Sequence, residues 1–321
     1  MKAINSISLL IILVIASLFV GVSDISMTDI LSLSEEQWLV LRVSRVPRTI
    51  ALLLAGIGVS VCGLILQQMT QNKFVSPATA GTLDAAKFGI LAALILLPEA
   101  GGVLKVLFTF AFTFLASLVF LKIADRIRYR NIIFIPIVGL LFGGILNSVT
   151  VFFAYQFNIV QDVGGSGESY GAWMVGDFSG VLEGNYELLY LCIPAVLLTY
   201  LYASKFTVVG LGKDFSKNLG LNYRSVLNIG LVCVSLTISV IAITIGMIPF
   251  LGLVVPNLTS LLLGGNLKKT LPFTAIFGAI FLLICDIIGR LIIFPFEVPI
   301  GMMVGVVGGV IFLVLLLKRN R

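Results

Sequence analysis

The sequence predicts an all-α polytopic membrane protein, and three of its features lead to that fold class. Apolar residues make up 59% of the 321 residues and charged residues only 11%, whereas a soluble domain carries about 25% charged residues. Stretches nearly free of charge, each of about 17 residues or more, recur along the whole length and are typical of transmembrane helices. The basic residues fall mainly in alternate loops. We therefore expect residues 1–321 to form a single transmembrane domain without a soluble domain.

Ten membrane spans are predicted from the apolar stretches. In chain order they are residues 5–23, 46–69, 79–97, 103–122, 132–157, 186–204, 226–246, 249–264, 271–290 and 299–317. The first is interpreted as a retained helix rather than a signal peptide, because the run is long and no small-residue cleavage site follows it. The eighth is short, and Pro249 and Pro256 bracket a predicted break in it, because proline removes a backbone donor.

Loop charge predicts the orientation of the chain. With the N-terminus inside, 15 of the 21 basic residues lie in inner segments and five lie in outer segments. Basic residues favour the cytoplasmic side of a membrane, so both termini are expected in the cytoplasm and the number of spans is even. Eleven of the 15 acidic residues fall on the outer side. The net charge of +6 is thus explained by topology, and no nucleic-acid partner is predicted.

Several arginines are predicted on the outer side, against this trend. Arg42, Arg45 and Arg48 directly precede the second span, and Arg290 is predicted at the same level, at the end of the ninth. Arg45 and Arg48 are three residues apart and would share one helix face. Two interpretations are open: the side chains extend to lipid headgroups, or they bind a partner that approaches from outside.

Most catalytic chemistry is missing from the sequence. There is no histidine, and the four cysteines stand singly in apolar stretches, without metal-binding spacing. No phosphate-binding loop G-x-x-x-x-G-K-[ST] is present, since 210-GLGKDFSK-217 lacks the first glycine and has Asp214 in place of Ser or Thr. We therefore expect no metal site, no cofactor and no ATPase activity in this chain.

Two charge pairs are predicted at membrane depth. Asp84 and Lys87 are three residues apart in the third span, and Asp286 and Arg290 are four apart in the ninth. Both spacings bring side chains together on one helix face. Structural neutralisation is the favoured interpretation of each pair, and a transport relay is the alternative.

The inner loop 205–228 is long and basic, with regularly placed apolar residues. Phe215, Leu219 and Leu221 stand among charged and polar residues, and Gly220 interrupts them. The pattern predicts a short amphipathic helix, a glycine stop and a second short helix across the inner face. Such a helix suits a membrane surface or the groove of a partner protein, whereas a solvated connector needs no such spacing.

Several motifs follow one another along the chain. They are R-V-P-R at 45–48, V-C-G-L-I-L-Q at 61–67, N-K-F-V-S-P at 72–77, L-G at 211–212 and again at 219–220, G-M-I-P-F-L-G-L-V-V-P-N at 246–257, D-I-I-G-R at 286–290 and E-V-P-I-G at 297–301. In these motifs and their order, the chain from Arg45 to Leu317 resembles the FecCD-type permease subunits of bacterial ABC importers. That family carries iron–siderophores, haem and vitamin B12.

The resemblance implies a fold, an assembly and a location. The fold would be that of the vitamin B12 permeases, with ten helices per subunit. Two permease subunits, identical or different, would form a pathway at their interface in the lipid bilayer of the bacterial cytoplasmic membrane. Two ATP-binding subunits would sit on the cytoplasmic face, and an extracytoplasmic substrate-binding protein would dock outside. The permease itself would be a transport subunit and not an enzyme.

The resemblance also implies three groups of site residues. Arg45, Arg48 and Arg290 would receive glutamates from the two lobes of the binding protein. The ATPase coupling residues would be Lys213, Phe215, Lys217, Leu219, Gly220 and Leu221. The inner gate would comprise Asn72, Phe74 and Asn131.

Departures from the family pattern narrow the range of expected substrates. Asn257 replaces the usual histidine, Lys73 replaces the proline after Asn72, and 81-GTLDAAKFG-89 differs from the usual stretch of small residues. These changes resemble the branch that imports ferric siderophores of the catecholate type, and they disfavour vitamin B12. Haem or another metal chelate is the alternative substrate. A secondary transporter that works without ATP is the alternative mechanism.

Overall fold

The computed structural model describes residues 2–21, 34–127, 133–159 and 176–319. Apart from one isolated β-bridge between Ile293 and Phe296, these residues form helices and their connections. In chain order the helices are α1 (Lys2–Phe19), α2 (Glu35–Val40), α3 (Val46–Met69), α4 (Thr82–Leu96), α5 (Gly102–Arg126), α6 (Phe134–Gln156), α7 (Cys192–Leu201), α8 (Ala203–Val209), α9 (Lys213–Asn218), α10 (Tyr223–Thr244), α11 (Leu251–Leu263), α12 (Leu267–Ile292) and α13 (Ile300–Arg319). The predicted all-α fold class is confirmed.

Each predicted span coincides with a helix, although the helices differ in length. By length and composition, six described helices can cross a membrane, and the bent pair formed by residues 187–201 and Ala203–Val209 is a seventh candidate. Two further apolar helices, Asn5–Phe19 and Leu251–Leu263, are shorter. The number of ten crossings and the position of the termini therefore stay predictions.

Helix α3 lies at the centre of the bundle. In the most apolar 18-residue stretch of residues 35–69, which include α3, 78% of the residues are buried. The corresponding fraction is 22% in α6 and in α13. It packs against α10, α11 and α12, so that three later parts of the chain share one central helix. The apolar side chains that α6 and α13 expose require lipid or another protein chain around them.

Glycine lets α3 approach two of its neighbours closely. A Cβ atom on Gly56 would lie 2.6 Å from the carbonyl oxygen of Gly278 in α12. A Cβ atom on Gly63 would overlap the carbonyl of Gly252 in α11. Association of membrane helices depends on van der Waals packing, which small residues at the contact permit. The positions of α11 and α12 on α3 thus depend on these glycines.

The break predicted between Pro249 and Pro256 lies at Phe250, directly before α11, and the helix continues through Pro256. The helix runs from Leu251 to Leu263 with Pro256 inside it. Proline cannot donate to the carbonyl four residues earlier, and that carbonyl belongs to Gly252, which abuts Gly63 of α3. The irregular backbone lies before the helix, where Phe250 has a φ of 59°. Packing on α3 therefore supports the helix where its hydrogen bond is missing.

We expect Gly63→Ala to destabilise the bundle, because the new methyl group must push the Gly252 carbonyl away. Overpacking of this kind costs about 1–3 kcal/mol, which should lower the melting temperature of the detergent-solubilised protein. Gly309→Ala in α13 is the matched control, since a Cβ atom there would meet nothing within 4 Å. Equal melting temperatures for the two variants would contradict the proposed contact.

Candidate functional site

Arg42, Arg45 and Arg48 lie on and directly after an irregular turn, at the end of the bundle that is predicted to face outward and that we call the outer end. A π turn (Leu41–Arg45) joins α2 to α3, and Pro47 follows it in the first turn of α3. Because Pro47 has no N–H, it cannot donate the helical hydrogen bond to the carbonyl of Val43. That carbonyl instead accepts a hydrogen bond from the backbone N–H of Glu183, at 2.9 Å. A single proline thus explains both the broken helical pattern and the attachment of a distant loop.

Asp286 is the shared acceptor between two arginines. It is 2% exposed. Its Oδ1 atom accepts from Nη2 of Arg48 at 2.8 Å and from Nε at 3.1 Å, and its Oδ2 atom accepts from Nη2 of Arg290. Arg48 also donates from Nη1 to Oε2 of Glu297 at 2.6 Å. A buried charge is tolerated only when it is paired and hydrogen-bonded, and Asp286 meets that requirement with two guanidinium groups.

Two arginines cap the C-terminal end of α1. The last carbonyls of a helix have no donor within it. Nη1 of Arg45 donates to the carbonyls of Leu18 and Phe19, at 2.7 and 3.2 Å. Nη1 of Arg290 donates to those of Ser17 and Val20, at 3.2 and 2.6 Å. Positive charge is favourable at this end of a helix, so the two arginines hold α1 against α3 and α12.

The fourth arginine of this region has an exposed partner. Nη2 of Arg42 lies 3.0 Å from Oε1 of Glu183, and the two side chains are 65% and 42% exposed. A pair this open to water contributes little to stability, about 0–1 kcal/mol. Arg42 is therefore the outer arginine most accessible to another protein.

A pocket of about 400 Å³ lies at the outer end of the bundle. Its lining includes Arg45, Arg48, Arg290 and Glu297. We call these residues together with Asp286 the outer arginine cluster. Three arginines stand against two carboxylates, so the cluster keeps one positive charge in excess. Arg45 and Arg290 are each only 6% exposed, which argues against side chains that extend freely to lipid headgroups.

The inner turn between α3 and α4 is built around Asn72. Its Oδ1 atom accepts from the backbone N–H of Phe74 at 2.9 Å, and Asn72 is 4% exposed. The ring of Phe74 packs edge-on against Phe312 of α13, with centroids 6.0 Å apart. Nδ2 of Asn257 donates to the Lys73 carbonyl at 2.8 Å. Two predicted gate residues thus lie on one ordered turn, and the third, Asn131, lies outside the described residues.

The predicted coupling residues lie on and after α9. Phe215 and Leu219 are 57% and 62% exposed although both are apolar, whereas Leu221 packs against the core. The buried hydroxyl of Ser216 fixes the helix, donating to the carbonyls of Gly212 and Val208 at 2.7 and 3.1 Å. The coupling group is completed by Lys213, Lys217 and Gly220, which are exposed.

The second short helix predicted after Gly220 is wrong. Gly220 has a positive φ of 73°, a left-handed conformation that glycine adopts readily. The chain then enters α10 at once, because Asn222 caps it by accepting from the N–H of Ser225. The other short helix of this region, α8, precedes α9 instead.

Both charge pairs predicted at membrane depth are present. Nζ of Lys87 lies 3.3 Å from Oδ1 of Asp84, and Arg290 pairs with Asp286. Lys87 also contacts Oδ1 of Asn147 in α6, at 3.5 Å. Among the residues whose structure is described, no group of three or more His, Cys, Asp or Glu could hold a metal ion.

Comparison with known families decides the class of this protein. The model of the FecCD transport family matches residues 9–318. The chain belongs to the FecCD transport family. It is 50% identical over 312 residues to the petrobactin import system permease protein YclN of Bacillus subtilis, which covers 97% of this chain and 96% of that protein. It is 44% identical over 305 residues to the ferric-anguibactin transport system permease protein FatD of Vibrio anguillarum, which covers 95% of each.

The fold of this FecCD permease is also found among solved structures. An ABC transporter of the metal-chelate type, in an inward-facing conformation, has a TM-score of 0.74 and covers 98% of both chains. The sequence identity is 21%, so this likeness concerns the fold. Membership of the FecCD transport family makes the permease a multi-pass membrane protein of the ABC transporter class, and a transport subunit.

Sequence reasoning missed the partners of the permease's outer arginines. It identified Asp286 with Arg290, because four residues separate them on one helix. It did not find the bonds from Arg48 to Asp286 and Glu297, which lie 238 and 249 positions away. The hydrogen bonds from Arg45 and Arg290 to the end of α1 were missed for the same reason. The available signal was the E-V-P-I-G motif, which marked Glu297 without indicating its partner.

We expect Asp286→Asn to destabilise the permease strongly, because Arg48 and Arg290 lose the carboxylate between them. Removing one partner of a buried ion pair costs about 3–5 kcal/mol, and the melting temperature in detergent should fall accordingly. Glu183→Gln is the matched control, since it breaks an exposed pair at the same end of the molecule. A drop in melting temperature no larger than that of the control would contradict a structural role for Asp286.

Proposed function

We propose that this permease is the transmembrane subunit of an ATP-driven importer that moves a ferric siderophore into the cytoplasm. The main support for this proposal is the 50% identity, along 97% of the chain, to a permease of a petrobactin import system. The similarity to a ferric-anguibactin permease supports the same class. A siderophore of the catecholate type fits both this similarity and the substitutions at Lys73 and Asn257. Haem or another metal chelate is the alternative substrate.

The proposed importer divides its work among several chains. Residues 1–321 form one permease domain, with both termini in the cytoplasm. ATP binding and hydrolysis belong to a separate subunit on the cytoplasmic face, because this sequence contains no phosphate-binding loop. A second permease subunit, identical or related, completes the pathway. The apolar faces that α6 and α13 expose are available for this subunit and for lipid.

The proposed contact with the ATP-binding subunit is residues 213–221, which we call the α9 segment. Phe215 and Leu219 are exposed on a short helix that Ser216 holds in place. Exposed apolar side chains on a fixed helix suit a groove in a partner protein. Burying one of them there would contribute about 1.5–3 kcal/mol. Motion of the partner would therefore be transmitted to α10, which begins directly after this segment.

The proposed inner gate is the turn that carries Asn72 and Phe74. The Phe74 ring rests on Phe312, and Asn257 ties the same turn to α11 through the Lys73 carbonyl. A movement of α11 or α13 would therefore move the bulky Phe74 side chain. Asn131 belongs to the same proposed gate by family resemblance alone.

Uptake in a reconstituted system tests the proposed function. The permease, purified with its co-encoded partners and placed in liposomes, should import a radiolabelled ferric catecholate siderophore only when ATP is present. Leu219→Asp should reduce uptake to background, because a carboxylate does not fit an apolar groove, and Leu219→Met is the matched control. Uptake without ATP would favour a secondary transporter. Import of vitamin B12 or haem in place of the siderophore would overturn the proposed substrate.

The outer arginine cluster is the proposed docking site for a substrate-binding protein. Arginine stays charged at any working pH and pairs with carboxylates through two parallel hydrogen bonds. The cluster has a surplus positive charge and a pocket of about 400 Å³ into which an acidic side chain can enter. Complementary charge on the two proteins would also accelerate and orient their encounter, and salt would weaken this effect.

In the isolated permease, Glu297 forms an ion pair with Arg48. Its side chain is 30% exposed, against 0% for Asp286, the other acceptor of Arg48. An incoming carboxylate would therefore displace Glu297 and leave Asp286 in place. Reversal of Arg48, Arg45 or Arg290 to glutamate would disturb the fold as well as docking, because all three bond within the chain. A change at Glu297 separates the two effects.

We expect Glu297→Gln to tighten docking of the binding protein, because it removes the internal competitor for Arg48. The dissociation constant should fall by about two- to fivefold, as expected for a partly exposed ion pair of up to about 1 kcal/mol. Surface plasmon resonance on the permease in nanodiscs, over a range of salt, measures the effect.

Glu99→Gln is the control for this measurement. Glu99 is exposed on the turn between α4 and α5, so the variant removes the same charge outside the cluster. It should leave the dissociation constant unchanged. Docking that is independent of salt and of Glu297→Gln would show that the cluster serves only the fold.

A further inference from the structure

A second, larger pocket lies at the opposite end of the bundle. It has a volume of about 670 Å³, within the range of about 300–1,000 Å³ found for small-ligand sites. The end of α3, the end of α5 and the beginning of α10 form its walls. On the proposed orientation this end faces the cytoplasm. We call it the inner pocket.

The inner pocket changes from apolar to charged along the direction of the helices. Leu118 of α5 lies one turn deeper in the bundle than Lys122, and both line the pocket. On α10, Arg224 stands at the helix start, and Leu227 and Leu231 follow one and two turns deeper. At 1.5 Å per residue, the change from Leu231 to Arg224 occupies about 10 Å. An amphiphile whose polar group points toward the inner surface would match this gradient.

Two cations line the inner pocket, Lys122 of α5 and Arg224 of α10. Lys122 and Arg224 are exposed and form no ion pair with a described residue. Tyr223 is 7% exposed and also lines the pocket. Asp125 adds one negative charge beside the two cations. The two cations outnumber the one carboxylate around this cavity, which favours an anionic ligand.

We propose that the inner pocket binds an acidic phospholipid of the inner leaflet, with its phosphate between Lys122 and Arg224. Guanidinium, ammonium and phenol groups all donate to phosphate oxygens, and ionised partners strengthen such bonds. The acyl chains lie along Leu118, Leu227 and Leu231. Basic pockets between helices on the cytoplasmic side bind anionic lipid headgroups by this physical arrangement. A free phosphate would satisfy the cations and leave the apolar walls unfilled.

The bound lipid connects two proposed moving parts of the permease. Gln71 and Asn72, on the turn of the proposed inner gate, line the pocket from one side. Leu211, just before the α9 segment, lines it from another. A lipid held between them would brace the gate turn against the coupling segment. Loss of the lipid would then loosen the connection while leaving the outer arginine cluster unchanged.

Binding to the full-length permease, purified with its partner subunits and stripped of lipid in detergent, tests this proposal. Dioctanoyl phosphatidylglycerol, dioctanoyl phosphatidylcholine and inorganic phosphate are titrated separately. A ligand that binds the folded state raises its melting temperature, which yields an apparent dissociation constant. Phosphatidylglycerol should bind best. Lys122→Gln combined with Arg224→Gln should weaken it by about fivefold for each cation removed, a loss typical of basic residues at an anionic surface.

Two further variants keep the outcome interpretable. Asp125→Asn removes the negative charge of the pocket and should tighten phosphatidylglycerol binding severalfold, the opposite sign to the cation variant. Lys268→Gln with Lys269→Gln removes two exposed lysines of α12 that do not line the pocket, and it should bind like the wild type. Equal binding of the two lipids would overturn the proposal, as would equal stabilisation by inorganic phosphate or equal weakening in the control. The assay needs neither ATP nor siderophore, so its result is independent of the proposed substrate.

Discussion

The buried carboxylate of Asp286 is the constraint on which the outer half of this permease depends. It accepts hydrogen bonds from Arg48 of α3 and from Arg290 of its own helix. Arg290 in turn donates to the carbonyls that end α1. Without Asp286, Arg290 would lose its carboxylate partner and Arg48 would keep only the partly exposed Glu297. One acidic side chain thus fixes the relative positions of three helices.

The two ends of the bundle are stabilised by different physical means. Ion pairs and helix capping hold the outer end, where Asp286 and Glu297 neutralise two of the three arginine charges within the chain. Direct backbone contact through glycine holds the middle, at Gly56 with Gly278 and at Gly63 with Gly252. The amphipathic pocket and the exposed apolar side chains of Phe215 and Leu219 lie at the inner end.

The contacts that sequence reasoning found and those that it missed differ in one physical respect. Asp84 with Lys87 and Asp286 with Arg290 lie within one helical turn, so their pairing follows from helix geometry alone. Arg45 bonds to Leu18 and Phe19, 27 and 26 positions earlier, and Arg48 bonds to residues near the other end of the chain. No periodicity relates such positions. A local rule predicted the break between Pro249 and Pro256, whereas the continuation of α11 through Pro256 depends on the neighbouring helix that supports the chain there.

The sequence by itself determined the all-α membrane fold, the approximate helix bounds and the family, because apolar length, loop charge and motif order are local properties of the chain. The identity of the outer arginines as candidate site residues was also visible, since their position opposed the charge trend. Only the tertiary structure decided what they bond to, and that of the two acceptors of Arg48, Glu297 is partly exposed while Asp286 is buried. It also assembled the inner pocket from three separate helices. Both features depend on which helices lie side by side, and side-chain packing across the whole bundle sets that arrangement.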